Sequence, residues 1–371
     1  MLSFDRIRPL LKPFARRSIR SPIPSAQSEA ERQAAIYREL KPAFAARESG
    51  IPEAIVRQEY GLDARIVFDP AFTLHPTCFI LAVRDGRVTF RFSTVMSDDG
   101  LSIMIVERWW GILPLIERLV SICGDRPVET VFNLNDEGVA EGLTFCDNRP
   151  SFSLIPDCVF IGTKGYHEQR ELYAARAIAW DDKCDVVFWR GTSTGRPSGE
   201  RHELPRISLC RLCQSDPSGL YDVGLTGLVD HGADETGERQ SRSLLSGFVP
   251  WQDFDRYRYH IDIDGHTNSW PGLMFKLHSG GLVFKVDPPA GHRQWYYERL
   301  RPWENYVPVK SDLSDLFDLV AYFRNNDPVG RAIAEEGRRL AQSMEFASEL
   351  DIGVRTILGR CAREQYVSSR L

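Results

Sequence analysis

From Arg258 onward the chain alternates strand, helix and strand, and this alternation limits its fold more than any other feature. Arg-Tyr-His-Ile-Asp-Ile-Asp at 258–264 has the two-residue period of a strand. Leu-Met-Phe-Lys-Leu-His-Ser at 273–279 predicts a short helix stopped by Gly280 and Gly281. Leu-Val-Phe-Lys-Val-Asp at 282–287 predicts the next strand, residues 292–300 the next helix, and Asn-Tyr-Val-Pro-Val-Lys at 305–310 a further strand. Strand–helix–strand repeats of this kind require parallel pairing with right-handed crossovers. Upstream, Asp-Val-Val-Phe-Trp-Arg at 185–190 is a compact apolar strand that opens into Gly, Thr and Ser. Helical patterns are expected over 168–180, 201–213 (interrupted by Pro205), 313–325 and 329–347.

The first half reads as a second α/β arrangement. Residues 64–70, 78–86 and 87–93 are short β-rich runs punctuated by Asp-Pro and Asp-Gly, the latter a hairpin signal. Residues 113–123 predict a helix, and Val-Glu-Thr-Val-Phe at 128–132 a buried strand delivering polar residues. Two α/β domains facing each other are the expected architecture. In such sheets ligands bind outside the carboxyl ends of the strands, so the chemistry is sought in the loops after them.

Composition narrows the function classes. The chain has 371 residues, 43% hydrophobic and 26% charged, enough for full cores without disulfide staples. Its net charge of −5 argues against a nucleic-acid partner bound over the whole surface. No apolar run reaches the roughly 18–20 residues that span a bilayer. The eight cysteines form no framework, and the single Cys210-x-x-Cys213 pair cannot fill a zinc site, so no metal is assigned. Arg6, Arg8, Lys12, Arg16, Arg17 and Arg20 interleave with apolar residues before the Pro/Ser-rich stretch 21–27. That arm is expected either to touch an anionic membrane surface or to lie solvated. It is no secretory signal, so the expected location is cytoplasmic, with peripheral contact at the inner face of the membrane.

Three constellations carry chemistry. In Arg190-Gly191-Thr192-Ser193-Thr194-Gly195, a guanidinium and hydroxyls accompany backbone that glycine leaves open to a phosphate. An ordinary loop after a strand is the plain alternative. Asp262-Ile263-Asp264-Gly265-His266-Thr267-Asn268-Ser269-Trp270-Pro271-Gly272 ends one strand and starts a helix. There Asn268 or Ser269 is the expected N-cap, the helix start attracts a diphosphate, and Trp270 offers a flat face for a base or sugar. In Asn133-Leu134-Asn135-Asp136-Glu137-Gly138 a strand delivers carboxylates, one of which can serve as a general base. A solvated turn is the alternative there.

In order, Asn-Leu-Asn-Asp at 133–136, Phe-Trp-Arg-Gly-Thr at 188–192, Tyr-Arg-Tyr-His-Ile-Asp-Ile-Asp-Gly at 257–265, Asn-Ser-Trp-Pro-Gly at 268–272, Arg-Pro-Trp-Glu-Asn-Tyr-Val-Pro-Val at 301–309 and Ser-Asp-Leu-Ser-Asp-Leu at 311–316 resemble glycosyltransferase family 90. That family holds capsule-associated and lipopolysaccharide-modifying enzymes and the protein O-glucosyltransferases. The resemblance is strong over 185–344 and looser over 128–156. It implies a GT-B-like α/β fold, two Rossmann-like domains facing a central cleft. The expected divisions are a basic arm and linker at 1–28, an acceptor-side α/β domain at 29–175, a nucleotide-sugar-binding domain at 176–345, and a C-terminal helical segment at 346–371 that packs back.

The resemblance also implies inverting transfer of a hexose or pentose from a UDP-sugar to a glycan or lipid-linked acceptor, with no obligatory cofactor. Asp136 matches the family's general base. Arg190, Gly191 and Thr192 match its diphosphate loop, and Asp264, Gly265, Asn268, Ser269 and Trp270 complete the expected donor site. The secretory relatives carry an arginine just after the serine of the later helix start, where this chain has Trp270. Helix-terminal N–H groups, Arg293 or Lys276 are the expected substitutes. Two other function classes stand beside this one: a non-catalytic nucleotide-sugar or glycan-binding protein, and a dinucleotide oxidoreductase, against which the lack of G-x-G-x-x-G counts.

Overall fold

In the first half, β1 (Asp63–Asp69), β2 (Cys78–Arg84), β3 (Arg87–Ser93) and β4 (Val128–Asn133) are followed by the two-residue strands β5 (Leu143–Thr144), β6 (Cys146–Asp147) and β7 (Ser153–Leu154). The second half supplies β8 (Cys184–Thr192), β9 (Tyr221–Gly227), β10 (Tyr257–Asp262), β11 (Leu282–Val286), β12 (Arg293–Gln294) and β13 (Val307–Val309). The computed structural model describes residues 29–368 apart from 73, 94–98, 197–202 and 230–240. The basic arm at 1–28 lies outside the described residues.

The chain divides into two compact units. The first takes in the N-terminal part up to Phe145, Arg149–Gly162, and the chain from Leu350. Its sheet runs β1-β3-β2-β4-β5-β7. β2 and β3 form the expected hairpin, and its turn residues Asp85 and Gly86 both have positive φ (50° and 73°), the twist a two-residue hairpin needs. β2 also pairs antiparallel with β4, while β4, β5 and β7 run parallel. Alternation in β2, β3 and β4 turns Phe79, Phe90, Phe92 and Phe132 to one buried cluster. Phe79 and Phe132 stack at 5.1 Å, and Trp109 meets Phe90 edge-on at 5.3 Å. Each such ring contributes roughly 1.5–3 kcal/mol by burial. The final helix, Phe346–Ser368, lies in this unit from Leu350: Asp351 accepts from Arg118 at 2.8 Å, and Gly353 lies against Leu115.

The second unit takes in Cys146–Asn148 and Thr163–Glu349. Its main sheet is parallel throughout, in the order β13-β11-β10-β8-β9. This is the expected Rossmann-like arrangement, and β9 is a strand that the glycines of Tyr-Asp-Val-Gly-Leu-Thr-Gly concealed in the sequence. The unit starts at Thr163, ahead of the expected division at 175/176. The helix His167–Arg176 belongs with it, because Arg170 donates to the carbonyls of Ala341, Gln342 and Met344. The helix expected over 292–300 is instead β12 and a 3-10 turn, Tyr297–Arg299. β12 pairs antiparallel with β6, a partner too distant in sequence for local propensity to reveal. The expected helix over 201–213 is described as Pro205–Gln214, with proline in the first turn as a start and not an interruption.

Candidate active site

Strand order in the second unit has a reversal. From β8 the chain adds β9 on one side, then returns to add β10, β11 and β13 on the other. The carboxyl ends of β8 and β10 therefore flank the switch point, where crossovers leave on opposite faces and a crevice opens. Gly191, Thr192, Asp264, Gly265, Asn268 and Ser269 lie at or after these two strand ends, as the sequence predicts.

Arg206 ties the two ends together. It is buried in the first turn of the helix Pro205–Gln214. Nη1 donates to Thr194 Oγ1 at 2.6 Å and Thr192 O at 3.2 Å, Nε to Asp264 O at 3.0 Å, and Nη2 to Ile263 O at 3.1 Å. Burial pushes the guanidinium down to about 10, against the charges of Asp264 and Asp262. Gly265 is required here, since a Cβ would sit 2.8 Å from Thr194 Oγ1 and 3.1 Å from Arg206 Nη2.

Under these loops lies a buried ionic cluster. Asp262 accepts from Lys276 Nζ at 2.7 Å, Ser269 Oγ at 2.7 Å and Lys285 Nζ at 3.2 Å. Burial would raise this carboxyl, but the two ammonium groups and the hydrogen bonds hold it well below the ordinary carboxylate range. Asp264 behaves oppositely. Burial, with the neighbouring Asp262 charge, pushes it up to about 6 in spite of Lys285 and Arg206. Its Oδ2 accepts from Asn268 Nδ2 at 3.2 Å, while Oδ1 has no hydrogen bond and faces Lys285 Nζ at 3.8 Å.

The folded chain thus binds the Asp264 proton more tightly than an unfolded carboxyl at 3.8 does. Asp264 therefore lowers stability progressively as pH rises from about 4 to 6, by on the order of 2–3 kcal/mol. Asp264→Asn should flatten that fall relative to the parent in urea denaturation at pH 4.5 and 6.5. An identical pH slope in the two proteins would contradict the assignment.

The helix after β10, Pro271–Ser279, begins differently from the expectation. Neither Asn268 nor Ser269 caps it: the N-cap is Trp270, with φ 53° and ψ −123°, and no side chain accepts from the first turn. Asn268 is occupied elsewhere, donating to His292 O at 3.0 Å and accepting from Cys146 Sγ at 2.7 Å. Trp270 is buried, with Nε1 3.4 Å from Thr267 Oγ1, so its ring is packing and not the flat face foreseen for a base or sugar. A bulky residue at positive φ is strained by about 1–3 kcal/mol and persists only where its surroundings enforce it. The result is a helix start whose N–H groups are not met by a capping side chain.

Arg190 also departs from its expected role. Its side chain turns to β9, pairing with the Asp222 carboxylate and donating to Asp222 O at 2.8 Å, Trp189 O at 3.0 Å and Gly247 O at 3.0 Å. A guanidinium so committed braces β8 against β9. Of the substitutes foreseen for the relatives' arginine, Arg293 is half exposed near Glu298 at 3.6 Å, whereas Lys276 lies beneath the helix start, bound to Asp262.

Asp136 belongs to the first unit. Asn133 ends β4 and staples the following loop: its Oδ1 accepts from the N–H of Val139 (2.9 Å) and Ala140 (3.0 Å), and its Nδ2 donates to Ala140 O and Leu143 O. Gly138 is needed because a Cβ would strike the Phe152 ring. Arg108, buried on the helix Asp99–Gly111, donates to Asp136 Oδ1 at 2.6 Å and to Leu134 O at 2.6 Å. The Asp136 side chain is 29% exposed. One carboxylate oxygen is therefore fixed and the residue still reaches solvent, as a general base requires.

Sequence reading passed over Arg206, Arg108 and Lys285. The signal was present in each case: a charge inside an otherwise apolar strand or helix needs a buried partner. Among the described residues no group of His, Cys, Asp and Glu gathers as a metal site, and no helix is long and apolar enough to cross a membrane. All eight cysteines are free thiols.

The family model for glycosyl transferase family 90 matches residues 87–348. The chain belongs to that family. Human protein O-glucosyltransferase 3 is 33% identical over 168 residues, which cover 45% of this chain and 29% of that protein. Protein O-glucosyltransferase 2 of Danio rerio is 28% identical over 164 residues, 44% of this chain and 30% of that protein. The matched segment thus spans under a third of those relatives' length. Among solved structures, Anabaena Alr3699/HepE in complex with UDP-glucose is 14% identical at a TM-score of 0.33, covering 52% of this chain and 53% of that one.

Proposed function

We propose that the chain is an inverting glycosyltransferase that takes a hexose or pentose from a UDP-sugar to a glycan or lipid-linked acceptor of the lipopolysaccharide or capsule type. The observation that carries this reading is the uncapped start of the helix Pro271–Ser279 beside the switch point between β8 and β10. Pro271 has no N–H and that of Gly272 donates to Ser269 O at 3.1 Å, so it is chiefly the positive end of the helix dipole, with no capping side chain in the way, that favours a diphosphate. Gly191 and the loop after it supply the opposite wall; the Thr192, Ser193 and Thr194 hydroxyls are buried and bonded inward, and Arg206 holds the loop in place. Asp262 and Lys276 beneath the helix start set its position rather than its charge, since each neutralises the other.

In the reaction, the Asp136 carboxylate takes the proton of the acceptor hydroxyl. The oxygen forms a bond to the anomeric carbon on the face opposite the nucleotide. The bond from that carbon to the diphosphate oxygen breaks, its electron pair leaves with UDP, and configuration inverts. Charge growing on the leaving diphosphate is stabilised by the helix start and the loop N–H groups. Arg108 keeps one oxygen of Asp136 fixed, so the other is presented without a search through rotamers.

A panel of nucleotide sugars, read by release of UDP with and without glycan acceptors, tests the proposal. One UDP-sugar is expected to stand clear of its GDP counterpart and of NAD(P). Equal inertness across every UDP-sugar, in a protein that still binds UDP, would leave only the binding function.

A further inference from the structure

We propose that the amino-terminal edge of the parallel sheet in the second unit carries an anion pocket, built by Lys183 and Arg338, that takes a phosphate-class oxyanion. This goes beyond the transferase reading and does not depend on it. The cavity measures about 190 Å3 and is bounded by Trp180, Lys183, Gly280, Arg331, Glu335 and Arg338. At roughly 30 Å3 per water it has room for about six waters, or for an oxyanion with part of its hydration shell.

Its place in the fold separates it from the donor end. Lys183 immediately precedes β8 and Gly280 comes just before β11, so both lie at the amino ends of parallel strands. The loops after Arg190 and Asp262 lie at the carboxyl ends. β8 has nine residues, which at about 3.3 Å each places the two edges roughly 26 Å apart.

The charges in the pocket are unbalanced. Arg338 makes no hydrogen bond and no ion pair among the described residues, and its Nε is shut away from solvent without a partner. Lys183 is buried, and its ammonium donates only to main-chain oxygens, those of Asp255 and Ser279. One of its three donors is left over. Asp255 pairs through Oδ1 with Arg176 at 3.0 Å while its buried Oδ2 has no hydrogen bond, and Glu335 on the pocket wall is taken by Arg331 at 3.1 Å. Burial pushes the Lys183 ammonium down to about 8; the Asp255 charge opposes this and the Arg338 charge adds to it.

Two cations therefore share a confined space, and the one carboxylate whose charge acts on Lys183, that of Asp255, is divided with Arg176. A bound oxyanion relieves their repulsion and meets the orphaned guanidinium donors. A planar fork beside a point charge is the donor set that phosphate selects. Gly280 keeps the floor low: it has φ 69°, and a Cβ there would approach Arg338 Cδ to 3.2 Å.

Free phosphate and a phosphate monoester share this chemistry, so inorganic phosphate and glycerol phosphate are titrated separately. Each is read by calorimetry and thermal shift on the full chain with UDP saturating, against chloride at matched ionic strength. Saturable binding is expected for at least one, and the tighter of the two names the source. Arg338→Gln should weaken it by tenfold or more without changing UDP affinity, and Lys183→Met should do the same if it folds. Arg338 is only half-buried and supports no other group, so its variant keeps the test open if Lys183→Met does not fold. Undiminished phosphate binding by Arg338→Gln, or no phosphate effect beyond that of chloride, overturns the proposal.

Discussion

Asp136→Asn is expected to lower turnover of sugar transfer by about 10²–10⁴-fold, the usual contribution of a positioned general base. The substitution keeps the shape of the side chain and removes its ability to accept a proton at neutral pH. UDP affinity should hold, because Asp136 lies in the first unit while the proposed diphosphate contacts all lie in the second. Steady-state rates with the best UDP-sugar, paired with a calorimetric UDP titration, check both halves. Normal turnover in the variant would remove Asp136 from the base role. Loss of UDP binding along with turnover would mean that the residue serves donor binding instead.

Arg206→Met should be the most damaging single change at the donor end. It strips four buried acceptors of their donor: Thr192 O, Thr194 Oγ1, Ile263 O and Asp264 O. It also removes one of the cations that offset Asp262 and Asp264, leaving Lys276 and Lys285 to do so alone, and breaking a buried charge constellation typically costs about 3–5 kcal/mol. The urea midpoint should fall accordingly and UDP should bind more weakly, since the two strand-end loops lose their common tie. Asp264 should then titrate above its present position, because Arg206 is one of the charges holding it down. Arg206→Lys should recover only part of the loss, as a single ammonium cannot span four acceptors in fork geometry. Parent-like stability and UDP affinity in Arg206→Met would show that the strand ends hold their positions without it.

Both arginines of the donor end stood in plain view in the sequence, and local reading assigned the diphosphate to Arg190. What turned Arg190 aside is Asp222, which its own strand cannot reveal: β9 lies next to β8 with Asp222 opposite Phe188, and a carboxylate there captures the guanidinium. Arg206 was hidden in the reverse way. Its helix was legible, but its four acceptors come from loops that only the crossover brings together. Trp270 shows the same limit, since its strained backbone and buried ring depend on packing from outside its own segment.

By itself the sequence determined the elements whose signals are local: the Asp85-Gly86 hairpin, the helices 113–123 and 273–279, the apolar strands, and the stopping points at Gly280 and Gly281. Side-chain periodicity and turn chemistry act over a few residues, so they survive without tertiary context. The ordered motif blocks likewise determined the family. Only the tertiary structure decided which cation braces a strand and which clamps the loops after β8 and β10, that residues 293–294 pair as a strand with Cys146–Asp147, and that Arg108 holds Asp136. Each of these rests on a partner far away in the chain, and a buried charge takes its role from the counter-charge the fold places beside it.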